Sequence, residues 1–175
     1  ITAQCGSYRL ERTVSVVAGR IAVNDTLTNT AREDVGILVR HDITAEPAPK
    51  QILLGGAPVR VLSESPENPT VFLRGERSRL GAALEDTISR VQMEAATSDG
   101  GAGWALSHLG VKSGERVTLR WSLYPVSDGD DYFAFINRVR SDWKSNFTVP
   151  GPFDFAPHQG IWEDPATLKA YLNRK

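Results

Sequence analysis

The side chains best suited to proton transfer are one histidine and two neighbouring acidic residues. A histidine can give or take a proton near neutral pH, and a carboxylate can act as a base. His108 with Glu85 or Asp86 is therefore the candidate catalytic pair of the sequence. A lone histidine beside Leu109-Gly110 is more often a structural or surface residue, and we favour that interpretation over catalysis.

Glu85 and Asp86 do not suit the two-carboxylate chemistry of glycosidic bond hydrolysis. That reaction needs two carboxyl groups about 5 Å or about 6.5–9.5 Å apart across a cleft. Adjacent residues of a strand point to opposite faces, so the two side chains cannot address one bond. The sequence also contains no phosphate-binding loop, nucleophile elbow or metal-ligand cluster. We predict no metal and no cofactor.

Composition excludes two classes of partner. Twenty Lys and Arg residues against 21 Asp and Glu give a net charge of -1. A protein that binds nucleic acid or an anionic membrane has a basic excess, which this chain lacks. No apolar run approaches the roughly 20 residues that span a membrane. We therefore predict neither nucleic acid nor membrane as a partner.

Short alternating segments separated by turns dominate residues 1–128. Residues 8–16, 20–28 and 35–39 alternate apolar and polar side chains, and we predict three sequential antiparallel strands. Further strands are predicted at 59–62, 70–73, 80–85, 87–95 and 117–124. Many short strands joined by Gly/Pro turns indicate a mostly β fold, an antiparallel β-sandwich of two stacked sheets.

Strand parity places one carboxylate on an apolar face. Asp25 shares the face of Val23 and Leu27, and a turn centred near Arg32 would make it a diagonal neighbour of His41. A carboxylate on an apolar face is costly unless it is hydrogen-bonded. We therefore predict that Asp25 is at least partly buried and accepts hydrogen bonds, from His41 or from backbone amides after Leu27. Asp25 and His41 would form a structural polar pair and not a catalytic one.

One aromatic helix follows the strands. Its apolar residues recur at helical spacing: Tyr132, Phe135, Ile136, Val139 and Trp143. Asp128 or Asp130 can cap its amino end. We expect the apolar stripe to be mostly buried, with Arg138 and Lys144 in solvent. Beyond a Pro/Gly exit segment, Asp164-Pro165 predicts the cap and first position of a short C-terminal helix.

Four segments between 8 and 155 carry a family resemblance. They read RTVSVVAGRIAVNDTLTNTAREDVGILVRHDI, RLGAALEDTISRVQ, LGVKSGERVTLRWSLYP and DYFAFINRVRSDWKSNFTVPGPF. This order of features resembles the β-sandwich of the galactose-mutarotase-like (supersandwich) group, in the form attached to glycoside hydrolases. In such proteins the sandwich precedes a catalytic barrel, and a helix with a Pro/Gly segment leads from one to the other.

The resemblance implies three units along the chain. Residues 1–128 would be the β-sandwich domain, and residues 129–160 the connector helix and Pro/Gly exit segment. Residues 161–175 would start a following domain or form a terminal helix. The alternative is a complete protein whose terminal helices cover an open sheet face.

The same resemblance implies a non-catalytic accessory domain of a carbohydrate-active protein whose parent is a glycoside hydrolase. Its partners would be an adjacent catalytic domain and carbohydrate, in an extracellular or periplasmic location. An aldose 1-epimerase-like or glycosidase activity is the alternative. The sandwich is shorter than complete mutarotase-type domains, which argues against an inherited epimerase activity. A protein-interaction module is a third interpretation. Trp104, after a glycine-rich tip, and Trp162, beside Glu163 and Asp164, are the candidates for stacking on a sugar. For Trp104 we favour structural packing over a sugar contact.

Overall fold

The structure is a computed structural model that describes residues 1–59, 66, 68–145 and 164–172. These residues form a mostly β fold with three short helices. The strands are β1 (Thr2–Gln4), β2 (Tyr8–Val17), β3 (Arg20–Asn29), β4 (Val35–Thr44), β5 (Gln51–Leu54), β6 (Ala57–Pro58), β7 (Thr70–Arg74), β8 (Arg79–Leu84), β9 (Glu94–Ser98), β10 (Gly101–Val111) and β11 (Arg116–Val126). The helices are α1 (Thr87–Gln92), α2 (Tyr132–Asp142) and α3 (Pro165–Leu172). None of these helices is long and apolar enough to span a membrane.

Two antiparallel sheets form the sandwich. The larger sheet has the order β1-β2-β3-β11-β8-β7-β5-β6, and the smaller has the order β4-β10-β9. Apolar side chains of both sheets fill the core, among them Val71, Leu84, Leu106 and Leu119. The predicted antiparallel β-sandwich is confirmed.

The third strand of the predicted meander lies in the other sheet. β2 and β3 pair as a hairpin, but β4 pairs with β10. The chain changes sheet after Asn29, whose buried side chain donates to the carbonyl oxygens of Glu33 and Val111 and accepts from the amide of Ala31. The prediction of three sequentially paired strands is wrong for the third, because Asn29 fixes a corner between the sheets.

One further predicted strand is a helix. Most of the segment 87–95 forms α1, and only its end belongs to β9. Asp86 caps the helix, since its carboxylate accepts from the amide of Ser89 at 2.8 Å and from the Ser89 hydroxyl at 2.7 Å. This cap starts a helical turn where alternation predicted a strand. The predicted strand at 59–62 lies, apart from Val59, outside the described residues.

The amino end of α2 is capped by Asp131. Its carboxylate accepts hydrogen bonds from the amides of Phe133 and Ala134, at 2.9 and 3.1 Å. The predicted caps Asp128 and Asp130 were therefore wrong by one to three residues. Acidic capping of this helix was nevertheless the correct principle, since the cap satisfies amides that lack partners within the helix.

The predicted stripe of α2 packs against the outer face of the larger sheet. Its residues are all buried or half-buried there: Tyr132, Phe135, Ile136, Val139 and Trp143. The Phe135 ring lies on Gly81, where a Cβ atom would overlap it. Lys144 is exposed as expected, but Arg138 is half-buried and donates to the carbonyl oxygen of Ala18 at 2.9 Å.

The short C-terminal helix α3 begins at its predicted cap. The Asp164 carboxylate accepts from the amides of Ala166 and Thr167, at 3.1 and 3.0 Å. Residues 146–163, with most of the predicted exit segment, lie outside the described residues. The division of the chain into three units stays a prediction.

Candidate functional site

A cleft opens between the two sheets where β2 and β3 face β4. Its volume is about 160 Å³, and three of its lining residues are ionisable groups that meet at its base, Arg12, Asp25 and His41. Larger hollows lie on the surface around Lys50 and Gln51, where no buried ionisable side chain contributes to the lining. The convergence of buried polar groups makes the cleft the candidate functional site.

The base of the cleft is a buried carboxylate with two donors. The hairpin register places Arg12 of β2 directly opposite Asp25 of β3. Arg12 Nε and Nη2 donate to the two carboxylate oxygens of Asp25 at 2.6 and 2.9 Å, and Trp121 Nε1 of β11 donates to Oδ2 at 3.1 Å. Asp25 is 2% exposed. Burial alone would raise the pKa of Asp25, but these hydrogen bonds and the Arg12 charge outweigh it and hold the pKa below its usual value.

His41 reaches the same carboxylate from the other sheet. Its ring lies on Trp121 with 5.1 Å between the ring centroids. Nε2 is 3.8 Å from Asp25 Oδ2, which is too long for a hydrogen bond. Nε2 is buried and has no hydrogen-bond partner among the described residues. Burial lowers the pKa of His41 although the Asp25 charge opposes this, so the ring is neutral at pH 7.

The structure confirms the burial of Asp25 and its role as a hydrogen-bond acceptor. The predicted donors were wrong, because Arg12 and Trp121 supply the hydrogen bonds in place of His41 or backbone amides after Leu27. β3 and β4 belong to different sheets, so His41 approaches Asp25 across the sandwich and not along a sheet. Sequence reasoning missed Arg12, although pairing across the first hairpin turn places it opposite Asp25.

The structure does not bring the candidate proton-transfer residues together. His108 is exposed on β10. Asp86 is buried, and besides capping α1 it accepts from the Arg120 amide at 2.6 Å. Glu85 follows the end of β8, and its carboxylate lies 3.7 Å from Arg20 Nε. In the described part of the chain, no hydrogen bond or ion pair joins His108 to either acidic residue.

Of the two tryptophans considered for stacking on a sugar, Trp104 lies in the described part of the chain. Trp104 is 1% exposed and packs edge-on against Trp121 in the core. Trp104 is therefore a packing residue, as favoured, and the weaker interpretation as a sugar-stacking residue does not fit a ring with no open face. The glycines before it belong to β10: a Cβ atom at Gly101 or Gly103 would overlap the backbone of β4. Trp162 lies outside the described residues.

The ionisable groups of the cleft differ in charge and in pairing. Asp25 is charged and paired with Arg12, and His41 is buried and neutral. Among the residues that the structure describes, no group of three His, Cys, Asp or Glu side chains could hold a metal ion. At the base of the cleft, Asp25 is therefore buried and paired, and Nε2 of His41 is buried without a partner among the described residues.

Comparison with known proteins gives a likeness of fold and not of sequence. No protein-family model matches the sequence, and no curated protein matches it. A solved structure of a polysaccharide lyase is similar, with a TM-score of 0.50 and 16% sequence identity. The likeness covers 77% of this chain and 22% of the lyase chain. At this identity it concerns the fold alone. The chain is thus a β-sandwich whose fold is shared with part of a carbohydrate-active enzyme.

Proposed function

We propose that the chain is a non-catalytic accessory domain of a carbohydrate-active protein and that its sandwich is of the galactose-mutarotase-like kind. The observation that carries this proposal is the fold likeness to 22% of a polysaccharide lyase chain. In a protein built on that plan, a sandwich of this size is one part beside others. Residues 1–128 are then the sandwich, 129–160 the connector, and 161–175 the start of a following domain or a terminal helix.

The state of the acidic side chains supports a non-catalytic role. Asp25 is held by Arg12 and Trp121, and Asp86 by the start of α1. A general acid or base must be able to exchange its proton at working pH. A carboxylate whose pKa is held low by an arginine is a poor base, so Asp25 serves the structure of the sandwich.

The connector helix offers a surface for a neighbouring domain. Phe133 lies on α2 with 70% of its surface exposed, while Phe135 of the same helix is buried against the sheet. Large aromatic side chains that remain exposed on a helix are suited to a second apolar contact. In this proposal the neighbouring catalytic domain packs on α2 and covers Phe133, so that the helix links two packed units.

The mass of the native protein tests the accessory role. Antibodies raised against the chain would capture the native protein from its source, and intact mass spectrometry would measure it. We expect a mass well above the 19.2 kDa of this chain, with peptides from a catalytic domain. A native mass near 19.2 kDa would contradict the accessory role and favour a free-standing sandwich.

A further inference from the structure

We propose that two copies of the chain associate through the inner face of β1 and β2 and the open edge of β4. The inner face is the side of the larger sheet that is turned towards the smaller sheet. The inference goes beyond the proposed function, because this surface contains no residue of α2. It stands on three observations: an apolar face that the smaller sheet leaves uncovered, a strand edge with free backbone groups, and the offset between the two sheets.

The inner face of β2 stays apolar beyond the point where the smaller sheet ends. Residues directly opposite each other in an antiparallel pair share a face of the sheet. The register of β2 with β3 places Val14 opposite Val23, which is buried in the core. Val16 lies opposite Ile21, which packs against the same core. Val14 and Val16 therefore point to the core side, yet they are 54% and 78% exposed.

β1 continues the same uncovered face. The amide of Arg12 donates to the carbonyl oxygen of Ile1 at 2.8 Å, so Ile1 lies opposite Arg12. Arg12 points to the core side, towards Asp25, and Ile1 shares that side with 85% of its surface exposed. The residues of β1 and β2 that point to the outer face are polar: Thr2, Gln4, Arg9, Glu11, Thr13 and Ser15. This alternation is typical of strands whose apolar face is covered, so we expect a covering layer here.

The outer edge of β4 carries free backbone groups beside this face. Within the ranges that the structure describes, β4 pairs with β10 alone. The carbonyl oxygen of His41 lies against Gly103 of β10, so the backbone groups of His41 point to β10. Backbone groups alternate in direction along a strand, so those of Leu38 and Arg40 point to the open edge. An open edge of this kind is a template for another strand.

The offset between the sheets makes this surface complementary to itself. Ile37 of β4 and Leu27 of β3 are buried in one core cluster, whereas Leu10 of β2 is only half-buried, so β4 lies over β3. β1 and part of β2 therefore project beyond β4. A two-fold axis parallel to the strands, midway between the two layers, places β1 of the second copy beside the open edge of β4. The two projecting faces then pack on each other, and one isologous contact closes the open edges of both copies.

Charge and size favour a second copy as the occupant and set the strength of the contact. A two-fold contact brings like charges together, but the charged side chains of β2 and β4 are already paired in each copy: Arg9 with Glu11, Arg12 with Asp25, and Arg40 with Asp42. The projecting face is two strands wide and as long as the 10 residues of β2, which gives a footprint of about 10 Å by about 33 Å. This is less than the about 800 Å² that each partner buries in a standard interface, so we expect a weak and reversible dimer.

Sedimentation velocity of the purified chain at increasing concentration tests this proposal. We expect the mass to rise from 19.2 kDa towards twice that value as the concentration reaches on the order of 100 µM. Hydrogen exchange at single amides, read by nuclear magnetic resonance, locates the contact. The amides of Leu38 and Arg40 should exchange about tenfold more slowly in a mostly dimeric sample than in a dilute one. The amides of Val39 and His41, which face β10, should be equally protected in both samples.

Two variants and one matched control identify the surface. Val14→Lys places a charge on the inner face, and because a two-fold contact contains the change twice, we expect at least about tenfold weaker association. Val17→Lys is the control, since Val17 lies on the same strand, is 46% exposed and points to the outer face. It should associate like the parent. Leu38→Pro removes an amide that faces the open edge and no hydrogen bond to β10, and it should also weaken association if Val14→Lys fails to fold.

Three results would overturn the proposal. A chain that stays at 19.2 kDa over the whole concentration range does not have a second copy as the occupant of this surface, which leaves a strand of a neighbouring domain. Association that neither Val14→Lys nor Leu38→Pro weakens takes place on another surface. Slow exchange of the Leu38 and Arg40 amides in the dilute monomer means that the chain itself already covers the edge. None of these results alters the covalent mass of the native protein, so the accessory role and the dimer fail separately.

Discussion

Arg12→Met tests whether the sandwich depends on a buried, charged carboxylate. The substitution keeps much of the apolar length of the side chain but removes both hydrogen bonds to Asp25. Only the Trp121 indole would still donate to this carboxylate, which is 2% exposed. His41 is 3.8 Å away and neutral, so it does not replace the lost charge.

The expected loss in free energy of unfolding depends on the protonation state of Asp25 in the variant. A buried carboxylate without its partner either stays charged or takes up a proton. Protonation of an Asp whose ordinary pKa is about 3.9 costs about 4 kcal/mol at pH 7, at about 1.4 kcal/mol per pH unit. Breaking a buried ion pair costs about 3–5 kcal/mol, and the Arg12 side chain is 32% exposed, so solvent reduces its contribution. We expect a loss of about 3 kcal/mol at pH 7.

The pH dependence separates this mechanism from a simple loss of packing. The pKa of Asp25 is lowered in the folded parent, so its stabilisation is present above the unfolded pKa and is lost as pH falls through the folded pKa. In Arg12→Met, protonating Asp25 costs little near pH 4, because the unfolded chain takes up the same proton. The difference in free energy of unfolding between parent and variant should therefore shrink strongly from pH 7 to pH 4.

Urea denaturation followed by tryptophan fluorescence measures the free energy of unfolding of parent and variant at pH 7 and at pH 4. Arg9→Met is the matched control, since Arg9 lies on the same strand with its side chain 47% exposed and paired with Glu11, whose side chain is 43% exposed. It should change the free energy of unfolding by less than about 0.5 kcal/mol. An Arg12→Met variant within about 1 kcal/mol of the parent at pH 7, or one with an equal loss at pH 4, would refute the reasoning.

Three further variants follow from burial and close approach. Phe135→Ala removes a ring buried on Gly81 and should lower the free energy of unfolding by about 3–5 kcal/mol in urea. Gly103→Ala places a methyl group on the carbonyl oxygen of His41 and should cost about 1–3 kcal/mol in the same measurement. Because burial lowers the pKa of His41, the unfolded chain is protonated first as pH falls below about 6.5. Stability should decrease from there down to the folded pKa, and His41→Phe should flatten that part of the pH profile.

Each of these variants has a control that the structure supplies. Phe133→Ala changes an exposed ring of the same helix, Gly110→Ala adds a methyl group to open space, and His108→Phe changes an exposed histidine. All three should stay within about 0.5 kcal/mol of the parent. If Phe135→Ala unfolds like its control, α2 is only a loose tether. Equal free energies of unfolding for Gly103→Ala and Gly110→Ala would disprove the close approach of β4 to Gly103. A pH profile of stability in His41→Phe equal to that of the parent would disprove the effect of His41 burial.

The parts of the fold that could be predicted from the sequence depend on local contacts. β2, β3 and β11 follow from alternation and from turns within a few residues, and their predicted ends differ from the observed ones by one or two residues. The sheet that β4 joins could not be predicted, because the corner at Asn29 depends on the carbonyl group of Val111, 82 residues away. Alternation predicts a strand where α1 lies, but the hydrogen bonds of Asp86 to Ser89 start a helical turn there.

The candidate site shows the same division. The burial of Asp25 follows from its parity, and Arg12 could have been found by pairing across the first hairpin turn. The approach of His41 to Asp25 could not be predicted, because it requires the stacking of two sheets. The glycines before Trp104 resemble a flexible tip in sequence, but Gly103 is needed where β4 comes close. Packing between distant strands decides these positions.

Turnover by the isolated chain tests the non-catalytic role most directly. Neutral and acidic polysaccharides and aryl glycosides would be incubated with the purified chain, and new reducing ends and the absorbance of new carbon–carbon double bonds would be measured. Optical rotation of freshly dissolved sugars would report epimerase activity. We predict rates equal to those without protein for the parent, for His108→Phe and for Glu85→Gln. Turnover by the parent that either variant abolishes would contradict the accessory role and identify the chain as an enzyme.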